Sequence, residues 1–277
     1  MFKDKVIIIT GGSSGLGKAL AKRLVAQGAH VGLVARDKRK LEDVKDELIA
    51  AKGAGQKIES FSCDVSSQEA TENAFHDIAR TLGEPDVLIN SAGILKEGYF
   101  EKLPLSTFRD VMDINFFGII HCIQAVLPYF KKKGSGRIVN IASLGGKIGA
   151  FGYGAYCSSK FALVGLTDIL RAELKPQNIL LHLVCPGEFQ SPMVDDLNTY
   201  RTAENKAVAQ TVPVLSLDRV ADDVMAGLLK NSYLIIPGKL ARVIEAANRW
   251  FPTLTRWVTD MKISRIYKGP DALKNRY

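Results

Sequence analysis

A glycine-rich turn between a short apolar segment and a helix is the feature that most restricts the fold of this sequence. Val6–Thr10 is a mostly apolar run rich in β-branched residues, as expected of a strand that is buried on both faces. Gly11, Gly15 and Gly17 follow it at once, and Lys18–Gln27 then has helical periodicity. Glycines let the backbone approach a pyrophosphate closely, and the helix N-terminus offers it free N–H groups. The segment predicts a dinucleotide-binding site, although its spacing differs from the usual G-x-G-x-x-G.

Strand-like and helix-like segments alternate along most of the chain. This alternation predicts an α/β fold of the Rossmann type, a doubly wound parallel sheet of seven strands with helices on both faces. Right-handed crossovers bring the carboxyl ends of such strands to one edge, where ligands bind. The predicted strands are Val6–Thr10, His30–Ala35, Lys57–Ser62, Asp86–Asn90, Gly136–Ala142, Ile179–Val184 and Tyr233–Ile236. The predicted helices after the first are Lys38–Lys52, Ser67–Leu82, Ser106–Lys133, Ala155–Lys175 and Leu217–Leu229.

A tyrosine and a lysine are spaced so that they share one face of a helix. Tyr156 and Lys160 are four residues apart, and Ser143 lies a short way upstream. An ammonium beside a phenol favours the phenolate, so we expect Lys160 to lower the pKa of Tyr156. This spacing also occurs by chance on ordinary helix surfaces, and it gains meaning from the separate dinucleotide signal. Together they predict a tyrosine that acts as general acid or base.

The composition is that of one large α/β domain in a reducing compartment. The chain has 277 residues, a length that one α/β domain can use. Its four cysteines, Cys63, Cys122, Cys157 and Cys185, form no C-x-x-C pair, which argues against a zinc site or a disulfide framework. The N-terminal apolar run has only the length of a strand, so we do not expect a signal peptide. We therefore expect a cytoplasmic protein with no bound metal and no membrane-spanning helix.

These motifs together resemble the short-chain dehydrogenase/reductase family. The order and separations match its short, single-domain branch over roughly residues 5–236. One departure is Ser91, where the family more often has a second Asn. The residues that carry the resemblance are Thr10-Gly11-x-x-x-Gly15-x-Gly17, Asn90-Ser91-Ala92-Gly93, Asn115, Ser143 and Tyr156-x-x-x-Lys160.

The resemblance implies a catalytic role for four residues. Hydride from the coenzyme would go to a carbonyl carbon, Tyr156 would give its proton to the carbonyl oxygen, and Ser143 would align that oxygen. Lys160 would also bind the nicotinamide ribose, and Asn115 would hold a water that links Lys160 to solvent. The alternatives are a turn serine for Ser143 and a buried, helix-bending amide for Asn115.

The resemblance also implies a set of coenzyme-binding residues, most of which follow strands. Asp64 has an alternative role as a helix cap. The set is Thr10, Gly11, Ser13, Ser14, Gly15, Leu16, Gly17, Arg36, Lys40, Asp64, Val65, Asn90, Ala92, Gly93, Tyr156, Lys160, Pro186, Gly187 and Ser191.

The end of the second strand favours NADP(H) over NAD. A carboxylate at this place would bind the ribose 2′-hydroxyl, whereas an arginine suits a 2′-phosphate. The sequence has Arg36 there, with Lys40 close by. Alternatively, Arg36 is a solvated loop cation. Asp37 is close enough in the sequence that NAD stays possible as the coenzyme.

Two segments near the catalytic residues predict a hydrophobic substrate rather than a sugar. The alternative is that several of their side chains pack into the core or a subunit interface. The apolar residues concerned are Phe151, Tyr153, Phe189, Met193 and Val194.

The C-terminal segment is apolar at helical spacing and strongly basic. From Asn231 onward there are nine basic and three acidic residues, so six of the formal +8 charges lie here, together with Trp250 and Trp257. We divide the chain into a reductase domain, residues 1–237, and an amphipathic extension, residues 238–277. Residues 238–266 are typical of a pair of helices at a membrane surface. The alternatives are that the apolar stripes cover the substrate cleft or contact a partner subunit, whereas nucleic acid is disfavoured because no groove-reading motif is present.

The tail and the glycine turn also resemble the 3-ketodihydrosphingosine reductases and their bacterial relatives. This likeness implies NADPH-dependent reduction of a long-chain 3-keto amino alcohol. Steroids, retinoids and 3-oxoacyl chains are alternative substrates, and a non-catalytic NADPH-binding adaptor is an alternative class. The family resemblance also implies a homodimer or homotetramer that pairs through Ser106–Lys133 and Ala155–Lys175.

Overall fold

A single parallel sheet organises the protein. The structure is a computed structural model, and it describes residues 1–209 and 211–268. Its strand order is β3-β2-β1-β4-β5-β6-β7, and every neighbouring pair is parallel, so the predicted fold class is confirmed. The strands are β1 Val6–Thr10, β2 His30–Ala35, β3 Ile58–Ser62, β4 Val87–Asn90, β5 Gly136–Ile141, β6 Ile179–Val184 and β7 Leu234–Ile235.

The helices connect the strands and extend beyond them at the C-terminus. The predicted helices are present with small shifts at their ends, whereas the short α7 and α8 were not predicted. The helices are α1 Gly15–Ala26, α2 Lys38–Ala51, α3 Gln68–Leu82, α4 Leu105–Met112, α5 Gly118–Lys133, α6 Gly154–Leu174, α7 Pro192–Leu197, α8 Ala203–Ala209, α9 Leu217–Leu229, α10 Lys239–Trp250 and α11 Pro252–Tyr267.

The sheet separates two apolar cores. In β1, Ile7 and Ile9 contribute to the core that includes buried residues of α1, α2 and α9. Ile8 points the other way, into the core that includes buried residues of α3, α5 and α6. Because helices cover both faces, the central strands are apolar throughout rather than alternating, as the sequence indicated.

A π-helical turn interrupts the long helix that was predicted for Ser106–Lys133. The structure has α4, then a π turn over Asp113–Phe117, and then α5. The turn contains the fully buried Asn115, and such turns often mark functional sites. A single uninterrupted α-helix was therefore the wrong prediction here.

Within the described residues, Leu105–Lys133 is the one stretch that is long and apolar enough to cross a membrane. In the fold, its side chains Ile119, Ile123 and Phe130 are buried in the core beneath the sheet. One face of this stretch therefore belongs to the core of the domain.

Candidate active site

The glycine turn brings three backbone segments into close contact. Gly11 has φ +67°, and a Cβ atom there would lie 2.8 Å from the backbone of Ser91 and Ala92. A Cβ on Gly17 would lie 2.3 Å from the carbonyl oxygen of Gly11. Side chains at these positions would force the segments apart. Ser14, the residue before α1, makes no side-chain cap, so the first N–H groups of α1 are free for an anion.

Three predicted coenzyme residues, Thr10, Gly17 and Asn90, do not line the cleft but support it from behind. Thr10 Oγ1 accepts hydrogen bonds from the N–H groups of Ser91 and Ala92, both at 3.2 Å. Asn90 is fully buried and its Nδ2 donates to Asn140 Oδ1 at 2.9 Å. These contacts hold the ends of β1, β4 and β5 together. Thr10, Gly17 and Asn90 are therefore scaffold residues in this structure.

A continuous cleft runs along the carboxyl edge of the sheet. Its two parts, about 230 Å³ and 170 Å³, share Gly11, Ser14, Ala92 and Gly93. The cleft is lined by most of the predicted coenzyme residues. These are Gly11, Ser13, Ser14, Gly15, Leu16, Arg36, Lys40, Asp64, Val65, Ala92, Gly93, Tyr156, Lys160, Pro186, Gly187 and Ser191.

The basic end of this cleft contains the side chains that were predicted to distinguish a ribose 2′-phosphate from a 2′-hydroxyl. Arg36 and Lys40 are exposed and line the cleft. Asp37 also lines it, but its carboxylate caps α2 by accepting from the N–H of Lys40 at 3.1 Å. That backbone hydrogen bond, together with the nearby Lys40 ammonium, lowers the pKa of Asp37. The carboxylate is thus already engaged by the protein.

Asp64 lines the same part of the cleft as Arg36, and its alternative role as a helix cap is wrong. The residue that caps α3 is Ser67, whose side chain accepts from the N–H of Ala70. Asp64 instead accepts hydrogen bonds from the N–H and hydroxyl of Ser66, at 3.0 Å and 2.8 Å. These bonds fix the turn beside the cleft.

The other end of the cleft brings Ser143, Tyr156 and Lys160 together. Lys160 is buried, its Nζ donates to the carbonyl oxygen of Ile141 at 3.0 Å, and burial lowers its pKa to about 8. Burial raises the pKa of Tyr156 to about 12, and a hydrogen bond with Ser143 opposes this rise. The predicted lowering of the pKa of Tyr156 is therefore wrong for this structure, because the loss of hydration on burial outweighs the hydrogen bond with Ser143.

Asn115 is adjacent to this group, and both donors of its side-chain amide are used within the protein. Its Nδ2 donates to Ile94 O at 2.9 Å and to Ser159 Oγ at 3.0 Å, and its Oδ1 accepts from the N–H of Ile94 at 2.8 Å. A Cβ on Gly93 would be 3.1 Å from that Oδ1 and 3.7 Å from Lys160 Nζ. Asn115 thus matches the buried amide considered above, and its role toward a water stays a prediction.

Ser143 lies where the coenzyme cleft meets a second, apolar cavity of about 330 Å³. Its Oγ accepts from the N–H of Gly145 at 3.0 Å, so it is also the turn serine of the alternative interpretation. Gly187 is the other residue that lines both spaces. A molecule in the apolar cavity can therefore reach the hydroxyl that faces the coenzyme cleft.

The walls of the apolar cavity come only in part from the two segments that the sequence assigned to the substrate pocket. Of the five predicted apolar residues, only Tyr153 lines it; Phe189 and Met193 line the coenzyme cleft, and Phe151 packs edge-on against Tyr99. The aliphatic walls are Leu144, Ile148, Ala150, Val208, Ala209, Val212, Ile244, Ala247, Leu254 and Val258. Ile244 and Ala247 belong to α10, and Leu254 and Val258 belong to α11.

The C-terminal helices therefore cover the apolar cavity, which is one of the alternatives that the sequence left open. Lys262 Nζ donates to Thr211 Oγ1 at 2.7 Å, and Asn248 Nδ2 donates to the carbonyl oxygen of Lys147 at 3.2 Å. The sequence predicted one apolar stripe on α11 that includes Trp257 and Val258. In the structure these two side chains lie in different surroundings, since Trp257 is exposed and Val258 lines the cavity.

Sequence reasoning assigned no role to a buried ion pair beside the cavity. Arg201 donates to both carboxylate oxygens of Glu188, at 3.0 Å to Oε1. Only 6% of the Arg201 side chain and 15% of the Glu188 side chain are exposed. Glu188 follows Pro186-Gly187 directly, and that position was the available signal. No group of His, Cys, Asp and Glu suited to a metal occurs in residues 1–209 or 211–268.

Comparison with known proteins identifies the family. The sequence pattern of short chain dehydrogenases matches residues 5–202. A 3-ketodihydrosphingosine reductase from Bos taurus is 35% identical over 82% of this chain and 69% of its own length. A 2-dehydro-3-deoxy-L-rhamnonate dehydrogenase (NAD(+)) from a Sphingomonas species is 36% identical over 71% of this chain and 76% of its own length. The crystal structure of an actinorhodin polyketide ketoreductase variant with NADPH has a TM-score of 0.76 at 29% identity, covering 85% of this chain and 97% of that one.

The fold and the site define an oxidoreductase that uses a nicotinamide coenzyme and acts on carbonyl or hydroxyl groups. The chain belongs to the short-chain dehydrogenase/reductase family.

Proposed function

We propose that this protein reduces a long-chain hydrophobic ketone with NADPH, and that the ketone is 3-ketodihydrosphingosine. The observation that carries the proposal is the position of Ser143, which faces both the coenzyme cleft and a largely aliphatic cavity. Reductases of 3-ketodihydrosphingosine are relatives over most of the chain. The Sphingomonas relative of similar identity acts on a sugar acid by its name, and an aliphatic cavity suits that substrate poorly.

The chain's own residues supply the proton and hold the reacting oxygen. When bound, the coenzyme supplies hydride from C4 of its nicotinamide to the carbonyl carbon. Tyr156 donates its proton to the carbonyl oxygen, and Ser143 donates a hydrogen bond that aligns it. Lys160 stabilises the resulting phenolate, and Asn115 holds the water through which the proton is replaced. The raised pKa of Tyr156 suits this direction, because the phenol is protonated at neutral pH.

The preference for NADPH is supported by the charges at the mouth of the cleft. Arg36 offers a planar fork to a 2′-phosphate, and Lys40 adds a second positive charge. The carboxylate that would suit a free 2′-hydroxyl, Asp37, is occupied as the cap of α2. This is the reverse of the arrangement that NAD-dependent sites use.

Purified enzyme assayed with NADPH tests the proposal. We expect turnover of 3-ketodihydrosphingosine and little or none of a steroid ketone, a retinoid, a 3-oxoacyl chain or the sugar-acid substrate. Tyr156→Phe should lower kcat by about 10²–10⁴-fold, the usual contribution of general acid catalysis, while NADPH still binds. Brisk turnover of another ketone with none of the sphingoid ketone would overturn the substrate assignment.

The helix pair α10 and α11 is further proposed to contact a membrane surface. Its outer side exposes large apolar side chains, and basic residues surround them, as in interfacial helices. Leu254 is both exposed and part of the cavity wall, so a lipid ketone could enter from the bilayer. The exposed apolar residues are Leu240, Val243, Trp250, Phe251, Leu254 and Trp257, and the exposed basic ones are Lys239, Arg242, Arg249 and Arg256.

A homodimer or homotetramer through α5 and α6 remains part of the proposal. Phe161 and Ile169 on α6 are exposed, as is Phe117 just before α5. Such side chains are suited to burial in a subunit interface. Light scattering after size exclusion would show a dimer or tetramer, and Phe161→Glu should shift it toward monomer; a monomeric wild-type protein would contradict this.

A further inference from the structure

One charged side chain, that of Glu188, lines the apolar cavity in the described part of the chain. Among the described residues that line this space, all others are apolar, small, or carry a neutral hydroxyl. A carboxylate in such surroundings loses hydration, so it is retained where a partner compensates for that loss. Arg201 supplies one partner from outside the cavity wall.

Arg201 does not use the full capacity of this carboxylate. A carboxylate offers about four acceptor positions. In the described residues, the side-chain donor to Glu188 is Arg201, with one N–H for each oxygen. Thr202, next to Arg201 in the chain, donates from its Oγ1 to the carboxylate of Glu97 at 2.6 Å. The Arg201–Glu188 pair itself carries no net charge, so Arg201 leaves no excess of positive charge around Glu188.

The position of Glu188 relative to the reacting groups is fixed by short connections. The N–H of Leu144 donates to Pro186 O at 2.8 Å, which joins the loop of Ser143 to the loop of Glu188. Tyr153 connects the other side, because its ring packs against that of Tyr156 with centroids 5.6 Å apart. The Tyr153 hydroxyl in turn accepts from Arg201 at 3.5 Å. Glu188 thus lines the same cavity as Ser143, and its partner Arg201 contacts the tyrosine that packs on Tyr156.

We propose that Glu188 binds the ammonium group of the substrate and makes the enzyme selective for 2-amino ketones over neutral lipid ketones. This inference rests on the proposed function. In a 3-keto-2-amino alcohol, the carbon that bears the ammonium group is bonded directly to the carbonyl carbon. With the oxygen at Ser143 and Tyr156 and the hydrocarbon chain along the aliphatic walls, the ammonium group lies close to the carbonyl and within the part of the cavity that contains Glu188. A charge-assisted hydrogen bond there favours the amino ketone.

The test compares two ketones on the wild-type enzyme. The first is 3-ketodihydrosphingosine, and the second has the same chain and 1-hydroxyl group but hydrogen in place of the amino group, in the same detergent. We expect kcat/KM to be at least about tenfold higher for the amino ketone, the effect of one hydrogen bond to a charged group. Turnover of both ketones with equal kcat/KM would overturn this inference and leave the reductase proposal standing, whereas turnover of neither would reject the proposed function itself.

Variants test whether Glu188 causes the selectivity for the amino ketone. Glu188→Gln should reduce the ratio of the two kcat/KM values toward one, and Glu188→Asp should restore part of it. Because Glu188→Gln leaves a buried Arg201 unpaired, Glu188→Gln with Arg201→Gln is made in parallel and should lose the ratio in the same way. Retained NADPH binding shows that each variant is folded. A folded variant without Glu188 that keeps the wild-type ratio would contradict the assignment.

Discussion

Lys160 Nζ lies 5.7 Å from the centroid of the Tyr156 ring, and both side chains line the same end of the coenzyme cleft. Burial shifts their pKa values in opposite directions, upward to about 12 for the phenol and downward to about 8 for the ammonium. At pH 7 both groups therefore carry their protons. Under the proposed function, Tyr156 donates its proton to the ketone oxygen and Lys160 then stabilises the phenolate that remains.

The pH dependence of ketone reduction should report the titration of Lys160. Above pH about 8 the ammonium loses its proton, and the phenolate formed in the reaction then lacks its neighbouring charge. We expect kcat to fall above that pH, approaching roughly tenfold per unit. Steady-state rates from pH 6 to 10 at saturating coenzyme measure this. A rate that stays constant to pH 10 would show that the Lys160 charge is not required.

Removal of Arg36 should weaken NADPH binding selectively. Hydrogen bonds to a charged group contribute about 1.5–3 kcal/mol, and Arg36 is exposed, so we expect the lower end, about a tenfold rise in the Kd of NADPH for Arg36→Ala. The Kd of NADH should stay within about twofold, because NADH lacks the 2′-phosphate. Arg39→Ala is the matched control, since Arg39 is an exposed cation in the first turn of α2, close to Arg36 in the chain, that does not line the cleft. Equal losses for NADH and NADPH would argue against a 2′-phosphate contact.

Gly17→Ala should destabilise the protein. Its new methyl group would lie 2.3 Å from Gly11 O, a backbone atom that can move only if the turn moves. Overpacking of this kind costs about 1–3 kcal/mol. Gly165→Ala, at a position of α6 where a Cβ meets nothing within 4 Å of its own chain, should instead raise stability by roughly 0.5–1 kcal/mol in the Phe161→Glu background, which removes the proposed interface through α6. Urea unfolding of both variants gives the comparison, and an unchanged midpoint for Gly17→Ala would mean that the turn tolerates a side chain.

The fold was predictable because its signals are local. A strand buried on both faces is apolar throughout, as in β1. A glycine turn between such a strand and a helix is typical of dinucleotide-binding folds. The residues around Tyr156 were predictable for the same reason, since i and i+4 positions share a helix face. The π turn at Asn115 was not predictable, because it changes the hydrogen bonds of one turn while the helical pattern of the sequence continues unbroken.

The pKa of Tyr156 and the walls of the apolar cavity depend on tertiary packing, which a spacing rule does not contain. The sequence shows that Lys160 is near the phenol, but burial decides the sign of the shift. Similarly, the stripe of α10 was predictable as apolar, yet nothing local indicates that Ile244 faces Ser143 across a cavity. Glu188 and Arg201 are 13 residues apart, and only the fold pairs them.

Acid should destabilise the protein through His182. This residue is buried, with Nδ1 donating to Ser232 O at 2.7 Å and Nε2 accepting from Arg137 at 3.1 Å, and burial lowers its pKa from 6.5 to about 4. Between these values the unfolded chain takes up a proton that the folded chain excludes, so stability decreases as the pH falls from about 6.5 to about 4. The contribution is at most about 3 kcal/mol.

Urea unfolding at pH 7 and pH 5 measures that contribution in the wild type and in His182→Gln, which retains a side-chain amide for hydrogen bonding. The difference between the two pH values should be smaller in the variant. Should the two proteins lose equal stability, other groups would account for the acid sensitivity. Titration of the His182 ring by NMR checks the pKa independently.

Exchange of the exposed tryptophans should reduce binding to anionic lipid. Trp250 and Trp257 are 73% and 58% exposed, and Arg249 lies 5.9 Å from the Trp250 ring, so apolar and basic groups occur together on this surface. We expect Trp250→Ala with Trp257→Ala to lower co-sedimentation with phosphatidylserine-containing vesicles several-fold, and added salt to lower it further. Phe100→Ala is the control, because Phe100 is 76% exposed but lies before α4, outside the C-terminal helices. Equal sedimentation of all three proteins would leave α10 and α11 with the single role of enclosing the apolar cavity, since Ile244, Ala247 and Val258 would still line it.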